Sequence, residues 1–131
     1  MCLIMSLSDS IISELSRGVA RPFADWPDPI VPVFGAGVYT IWDNDGRFIY
    51  VGMSGRGITA ETVRRNSPLG IYTRLHSHAS GRRSGDQFCV YVADRLVLPT
   101  LSHEDISAIG SGRHQMDACA GTFMKIFVFG S

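Results

Sequence analysis

What the chain has little of sets the first limits. No apolar run approaches the roughly 20 residues that a membrane-crossing helix needs. The opening Met1-Cys2-Leu3-Ile4-Met5-Ser6-Leu7 also lacks the basic flank of a secretion signal. The expectation is a cytoplasmic chain with no membrane partner. Cysteine is scarce: the three, Cys2, Cys89 and Cys119, are far apart, odd in number and form no CxxC or Cys/His cluster. Such spacing suggests neither a disulfide framework nor a structural zinc site, so reduced thiols are expected, with Cys89 buried in a strand. There is no phosphate-binding glycine loop with its lysine, no Ser-His-Asp order and no zinc signature. Charge of one sign is not in excess either, since 12 basic residues meet 12 acidic ones, and neutrality argues against a phosphate-rich partner.

The distribution of those charges changes the last inference. Between residues 56 and 83 stand Arg56, Arg64, Arg65, Arg74, Arg82 and Arg83 against one acid, Glu61. Either a solvated arginine face or a phosphate-binding surface produces such a pattern. At 131 residues and 45% hydrophobic content, the chain suits one compact core and is too short for two.

Residues 8–17 place apolar side chains at helical spacing behind cap-forming residues, with Gly18 as the stop. Pro22, Pro27, Pro29 and Pro32 then forbid regular helix, and Phe23, Trp26 and Phe34 can anchor an extended wrap to the core. Val38-Tyr39-Thr40-Ile41-Trp42 and Arg47-Phe48-Ile49-Tyr50-Val51 read as two strands, joined through Asp45-Gly46 as a hairpin. After a glycine-rich turn, Ser67 as N-cap and Pro68 in the first turn predict a helix to about Ala79. On it Ile71, Tyr72, Leu75 and Ala79 share an arc, with Arg74 and His78 together on one edge. Gln87-Phe88-Cys89-Val90-Tyr91-Val92 has the composition of a third strand, antiparallel in the simplest pairing. Ser102-His103-Glu104-Asp105 reads as a capping box, and residues 125–129 as a last strand.

Gly37-Val38-Tyr39 and Tyr50-Val51-Gly52 resemble the two tripeptides that name the GIY-YIG nucleases, valine replacing isoleucine in each. Gly52-Met53-Ser54, then Arg74-Leu75 and His78, are similar to the family's order of strand, glycine turn and arginine-bearing helix. The resemblance covers about residues 37 to 92. It implies an α/β fold of the α+β type, a small central antiparallel sheet of about three strands flanked by helices. With the length and patterning above, the expectation is a single GIY-YIG-like domain over 1–131, with an N-terminal helix and proline-rich wrap over 1–36 and a divergent or truncated part over 93–131.

The resemblance also implies the chemistry: a metal-dependent endonuclease hydrolysing phosphodiester bonds, with DNA the expected nucleic-acid partner. One of Tyr39 and Tyr50, most simply Tyr39, would orient or deprotonate the water, which a phenol of pKa near 10 does only with help. Arg74 would hold the scissile phosphate with its fork of donors. His78 would hydrogen-bond a tyrosine or the phosphate, or serve as a satisfied structural histidine; His76 is the weaker candidate. Gly37 and Gly52 are the motif glycines, and Arg56, Arg64, Arg65, Arg82 and Arg83 would hold the backbone. The family's ion is Mg²⁺ or Mn²⁺, held by a glutamate on a helix after the third strand. Glu104, the only glutamate after Glu61, takes that place, with Asp105 as a cap and Asp117 a distant alternative. Without that ligand the chain would be a nucleic-acid-binding module that does not cut, and a protein-interaction domain is the third reading.

Overall fold

A computed structural model of the chain describes residues 7–64, 67–114 and 121–128, with the side chains of Leu7 and Val128 excepted. Arg65, Asp117, Cys2 and Cys119 lie outside the described residues. Within them the fold is α+β. Helix α1 (Leu7–Arg17) leads into the short strand β1 (Arg21–Pro22), a single tight turn at Phe23–Asp25 and strand β2 (Phe34–Gly35). The hairpin strands β3 (Gly37–Asp43) and β4 (Phe48–Ser54) follow, then α2 (Ala60–Val63), β5 (Leu69–Gly70), α3 (Ile71–Ala79) and α4 (Gln87–Val92). Helix α5 (His103–Gly110) and strand β6 (Thr122–Val128) complete the order. No helix among the described residues is long and apolar enough to cross a membrane.

The four-stranded antiparallel sheet runs β1, β6, β3, β4. The hairpin forms as its sequence predicts. The Asp43 carboxylate accepts the amides of Asp45 and Arg47, and Gly46 takes the positive φ of 78° that closes the turn. Strand β3 lies at the centre, paired along its length with both β4 and β6, so its side chains are the best enclosed of the sheet. Tyr39 and Ile41 point from it into the core, where they meet Ile71 and Leu75 of α3, Phe88, Cys89 and Val92 of α4, and Met124 of β6. The proline-rich stretch is an extended wrap, as expected. Buried Phe23 and Val31 pin it, and Arg21 pairs with buried Asp28.

Three expectations need correction. Residues 87–92 form a helix, not a third strand, and the third long strand is β6. The cause is local: Asp86 caps α4 by accepting the amides of Phe88 and Cys89, and the buried positions 88, 89 and 92 follow helical spacing. Cys89 is accordingly buried, but in a helix. Finally, α3 begins at Ile71 behind Gly70, not at Ser67, because Leu69–Gly70 pairs in parallel with Phe34–Gly35 before the helix starts.

Candidate active site on the β3–β4 hairpin

The register of the hairpin sets Tyr39 directly opposite Gly52, and Tyr50 opposite Ile41. Cross-strand neighbours share a face, so both tyrosines stand on the side that α3 and α4 cover. Their ring centroids lie 6.2 Å apart. Their environments differ. Tyr39 is 1% exposed and Tyr50 37%, which makes Tyr50 the tyrosine that meets solvent and Tyr39 the one behind it. Beyond Tyr50 opens a cleft of about 320 Å³ whose other walls are Ile49, Gln87, Phe88 and Tyr91. A second cavity, about 370 Å³ between the end of α1 and β6, contains none of the predicted site residues.

Helix α3 brings the histidine. Ile71, Leu75 and His78 occupy one stripe at i, i+4 and i+7 and are all buried, so His78 sits within the buried stripe and not at its edge. Its Nε2 lies 2.8 Å from the Tyr39 hydroxyl and its Nδ1 2.7 Å from Oδ2 of Asp86. The Ser77 hydroxyl donates to that same Oδ2 at 2.7 Å, while Oδ1 accepts the amides of Phe88 and Cys89 at 3.0 and 3.3 Å. Tyr39, His78 and Asp86 thus form a continuous hydrogen-bonded chain that begins behind Tyr50 and ends on the first turn of α4. Asp86 was not singled out by the sequence; an aspartate between a glycine and an apolar run is an N-cap signal, and that signal was available.

Electrostatics divide the protons among these groups. Burial raises the Tyr39 phenol above its ordinary value, and neighbouring Tyr50 adds to the rise while the Arg74 charge opposes it. Burial pushes the His78 imidazole below its ordinary value, against the hydrogen bond and charge of Asp86, which favour the imidazolium; the Arg74 charge adds to the depression. Burial would raise the Asp86 carboxyl, but hydrogen bonds from Ser77 and His78, the His78 charge and the Cys89 amide together hold it below the carboxylate range. At neutral pH the chain is therefore phenol, neutral imidazole and carboxylate.

Arg74, one turn before His78 on α3, is exposed, and its charge acts on both Tyr39 and His78. His76 is also exposed and accepts the Trp26 indole N–H at 2.9 Å, a contact that pins the proline-rich wrap to α3. Arg56, Arg64 and Arg82 are exposed in the connections around α3, and Arg83 pairs with Asp94 at 2.7 Å. Gly37 is buried beside Ser54 of β4. Glu104 is exposed in the first turn of α5, where the capping box forms as predicted between Ser102 and Asp105.

His78, Asp86 and Cys89 offer three ligand atoms within 4.8 Å of one another and could hold a metal ion. A nitrogen, an oxygen and a sulfur are the donor set of a borderline-soft ion such as Zn²⁺, whereas Mg²⁺ takes oxygen ligands. Both oxygens of Asp86 already accept hydrogen bonds, and Asp86 is the carboxylate whose charge acts on Tyr39. Among the described residues no group of three carboxylates lies together to make an all-oxygen Mg²⁺ site. No protein-family model, curated protein or solved structure matches the chain.

Proposed function

We propose that the chain is a GIY-YIG-like endonuclease that cleaves phosphodiester bonds in nucleic acid, DNA in the first instance. The observation that carries this reading is the hydrogen-bonded chain from Tyr39 through His78 to Asp86, set behind solvent-facing Tyr50 and one helical turn from Arg74.

The two tyrosines act in series. Tyr50, at the mouth, holds the attacking water and takes its proton while passing its own inward to the Tyr39 oxygen. Tyr39 releases its proton to Nε2 of His78, and the imidazolium that forms is balanced by the Asp86 carboxylate. The water oxygen bonds to phosphorus, and the sugar oxygen leaves with the electron pair of the broken P–O bond and takes a proton from solvent. Arg74 binds the phosphoryl oxygens, where negative charge grows in the transition state. A relay suits a phenol whose buried environment disfavours a resting phenolate. The arginines of residues 56–83 hold the flanking backbone.

Mg²⁺ or Mn²⁺ is the ion the resemblance calls for, and when bound it would supply further stabilisation of charge on the phosphate. Its expected ligand, Glu104, belongs to this proposal, although among the described residues no group of three carboxylates lies together for such an ion. That misfit favours a second reading, a module that keeps the cleft and binds nucleic acid without cutting. Incubating supercoiled plasmid with the pure protein and Mg²⁺ or Mn²⁺ at low salt separates the two. Nicking that Arg74→Ala abolishes supports the nuclease. Salt-sensitive binding without nicking supports the module. Loss of nicking in Glu104→Ala would identify the metal ligand.

A further inference from the structure

Asp86 is buried and faces Nδ1 of His78, on the far side of the ring from the Tyr39 hydroxyl at Nε2, so the state of both ring nitrogens depends on it. We infer that Asp86 is a positioning residue that fixes the His78 tautomer, so that Nδ1 carries the hydrogen and bare Nε2 faces the Tyr39 hydroxyl as proton acceptor. The inference rests on the nuclease reading for its catalytic meaning, but its structural content stands on the hydrogen bonds alone.

An ionised carboxylate only accepts. With Oδ2 of Asp86 at 2.7 Å from Nδ1, the shared hydrogen belongs to the imidazole. In the neutral ring Nε2 is then an acceptor, and the 2.8 Å contact with Tyr39 is a phenol O–H donating to it. The direction of the whole chain follows: Tyr39 donates to His78, and His78 donates to Asp86. The opposite tautomer would put a hydrogen on Nε2 and make Tyr39 the acceptor, leaving its proton no place on the imidazole.

The aim of the carboxylate is itself fixed. Oδ1 is committed to two amides of α4, at Phe88 and Cys89, so Oδ2 cannot rotate away from His78. The same commitment dictates what Asp86→Asn does. The α4 amides require an acceptor, so the carboxamide oxygen stays with them and its NH₂ turns toward Nδ1. A donor facing Nδ1 forces the hydrogen onto Nε2. When a histidine acts as general base, the wrong tautomer removes the base while leaving the geometry in place.

The test is the imidazole ¹⁵N spectrum of the full chain at neutral pH, recorded alongside plasmid cleavage. The wild type is expected to show His78 protonated at Nδ1 alone. Asp86→Asn is expected to move that hydrogen to Nε2 and to lower cleavage about a hundredfold or more. Ser77→Ala, which removes a different hydrogen bond from the same oxygen, is expected to keep the tautomer and most of the activity. A wild-type His78 protonated at Nε2 alone overturns the inference, and that spectrum decides the matter even if Asp86→Asn does not fold. An unchanged tautomer in folded Asp86→Asn overturns it equally. A tautomer that switches as expected in a chain that never cuts nucleic acid upholds the assignment to Asp86 and removes the nuclease reading instead.

Discussion

Tyr39 and Gly52 face each other across the β3–β4 pair so closely that a Cβ on Gly52 would lie 2.3 Å from the Tyr39 hydroxyl and from its Cζ. The glycine of one tripeptide is therefore the floor beneath the tyrosine of the other. Gly52→Ala should force the ring off His78, at a cost of about 1–3 kcal/mol for overpacking. Chemical denaturation followed by circular dichroism measures the cost, and any nucleic-acid cleavage should fall with it. Retained stability and activity would mean that Tyr39 has room the structure denies it.

The buried chain makes stability depend on acid in two stages. The folded-state value of His78 is depressed below 6.5 and that of Asp86 below 3.8. In both cases the unfolded chain binds protons first as the pH falls. The His78 contribution is complete above pH 6.5 and is lost as the pH drops from there through its folded value; the Asp86 contribution starts to fail only near 3.8. Denaturation midpoints measured from pH 8 to pH 3 should decline in that order. Replacing His78 with Gln should remove the upper stage. A flat profile between pH 7 and 5 in the wild type would contradict the burial of a neutral His78.

Leu75 shares the buried stripe of α3 with His78 and has no exposed surface. Leu75→Ala should cost about 2–5 kcal/mol, the range for a leucine cut out of a packed core. Because the same stripe aims His78 at Tyr39, the ¹⁵N resonances of that ring should broaden in the variant. A loss under about 1 kcal/mol would show that α3 is less firmly seated than its burial implies.

Arg74 is exposed, so its removal should leave the fold intact. If it binds phosphate, Arg74→Ala should weaken nucleic-acid binding for every sequence alike and reduce the slope of log affinity against log salt by about one. Arg74→Lys should restore charge but not the two-pronged grip, giving binding with poor cleavage. Titrations at several salt concentrations decide the point, and an unchanged slope in Arg74→Ala would remove Arg74 from the phosphate site.

The hairpin was legible because its β-branched and aromatic runs and its Asp45-Gly46 turn agree with the tertiary fold. The arc of α3 was legible for the same reason. What was hidden is non-local or contextual. Strand propensity in Gln87-Phe88-Cys89-Val90-Tyr91-Val92 loses to the Asp86 cap and to burial at helical spacing. The place of β6 between β1 and β3 is a long-range pairing that no local pattern encodes. Within the candidate site, the resemblance to the GIY-YIG tripeptides pointed to Tyr39, Tyr50, Arg74 and His78; the structure sets Tyr39, Tyr50 and His78 against one another, with the Arg74 charge acting on Tyr39 and His78. Which tyrosine is enclosed could not be seen, because it depends on what α3 and α4 cover. Asp86 was missed because its two roles, capping α4 and facing His78, meet only when the helices pack.

The claim on which the rest depends is that Tyr39 takes part in cutting a phosphodiester bond, and Tyr39→Phe isolates it by removing one oxygen from an otherwise unchanged ring. Nicking of supercoiled plasmid at low salt with Mg²⁺ or Mn²⁺ should be about a hundredfold or more slower in the variant, with circular dichroism showing both proteins folded. A folded Tyr39→Phe that nicks at the wild-type rate, or a folded wild type that does not nick at all, would contradict the account.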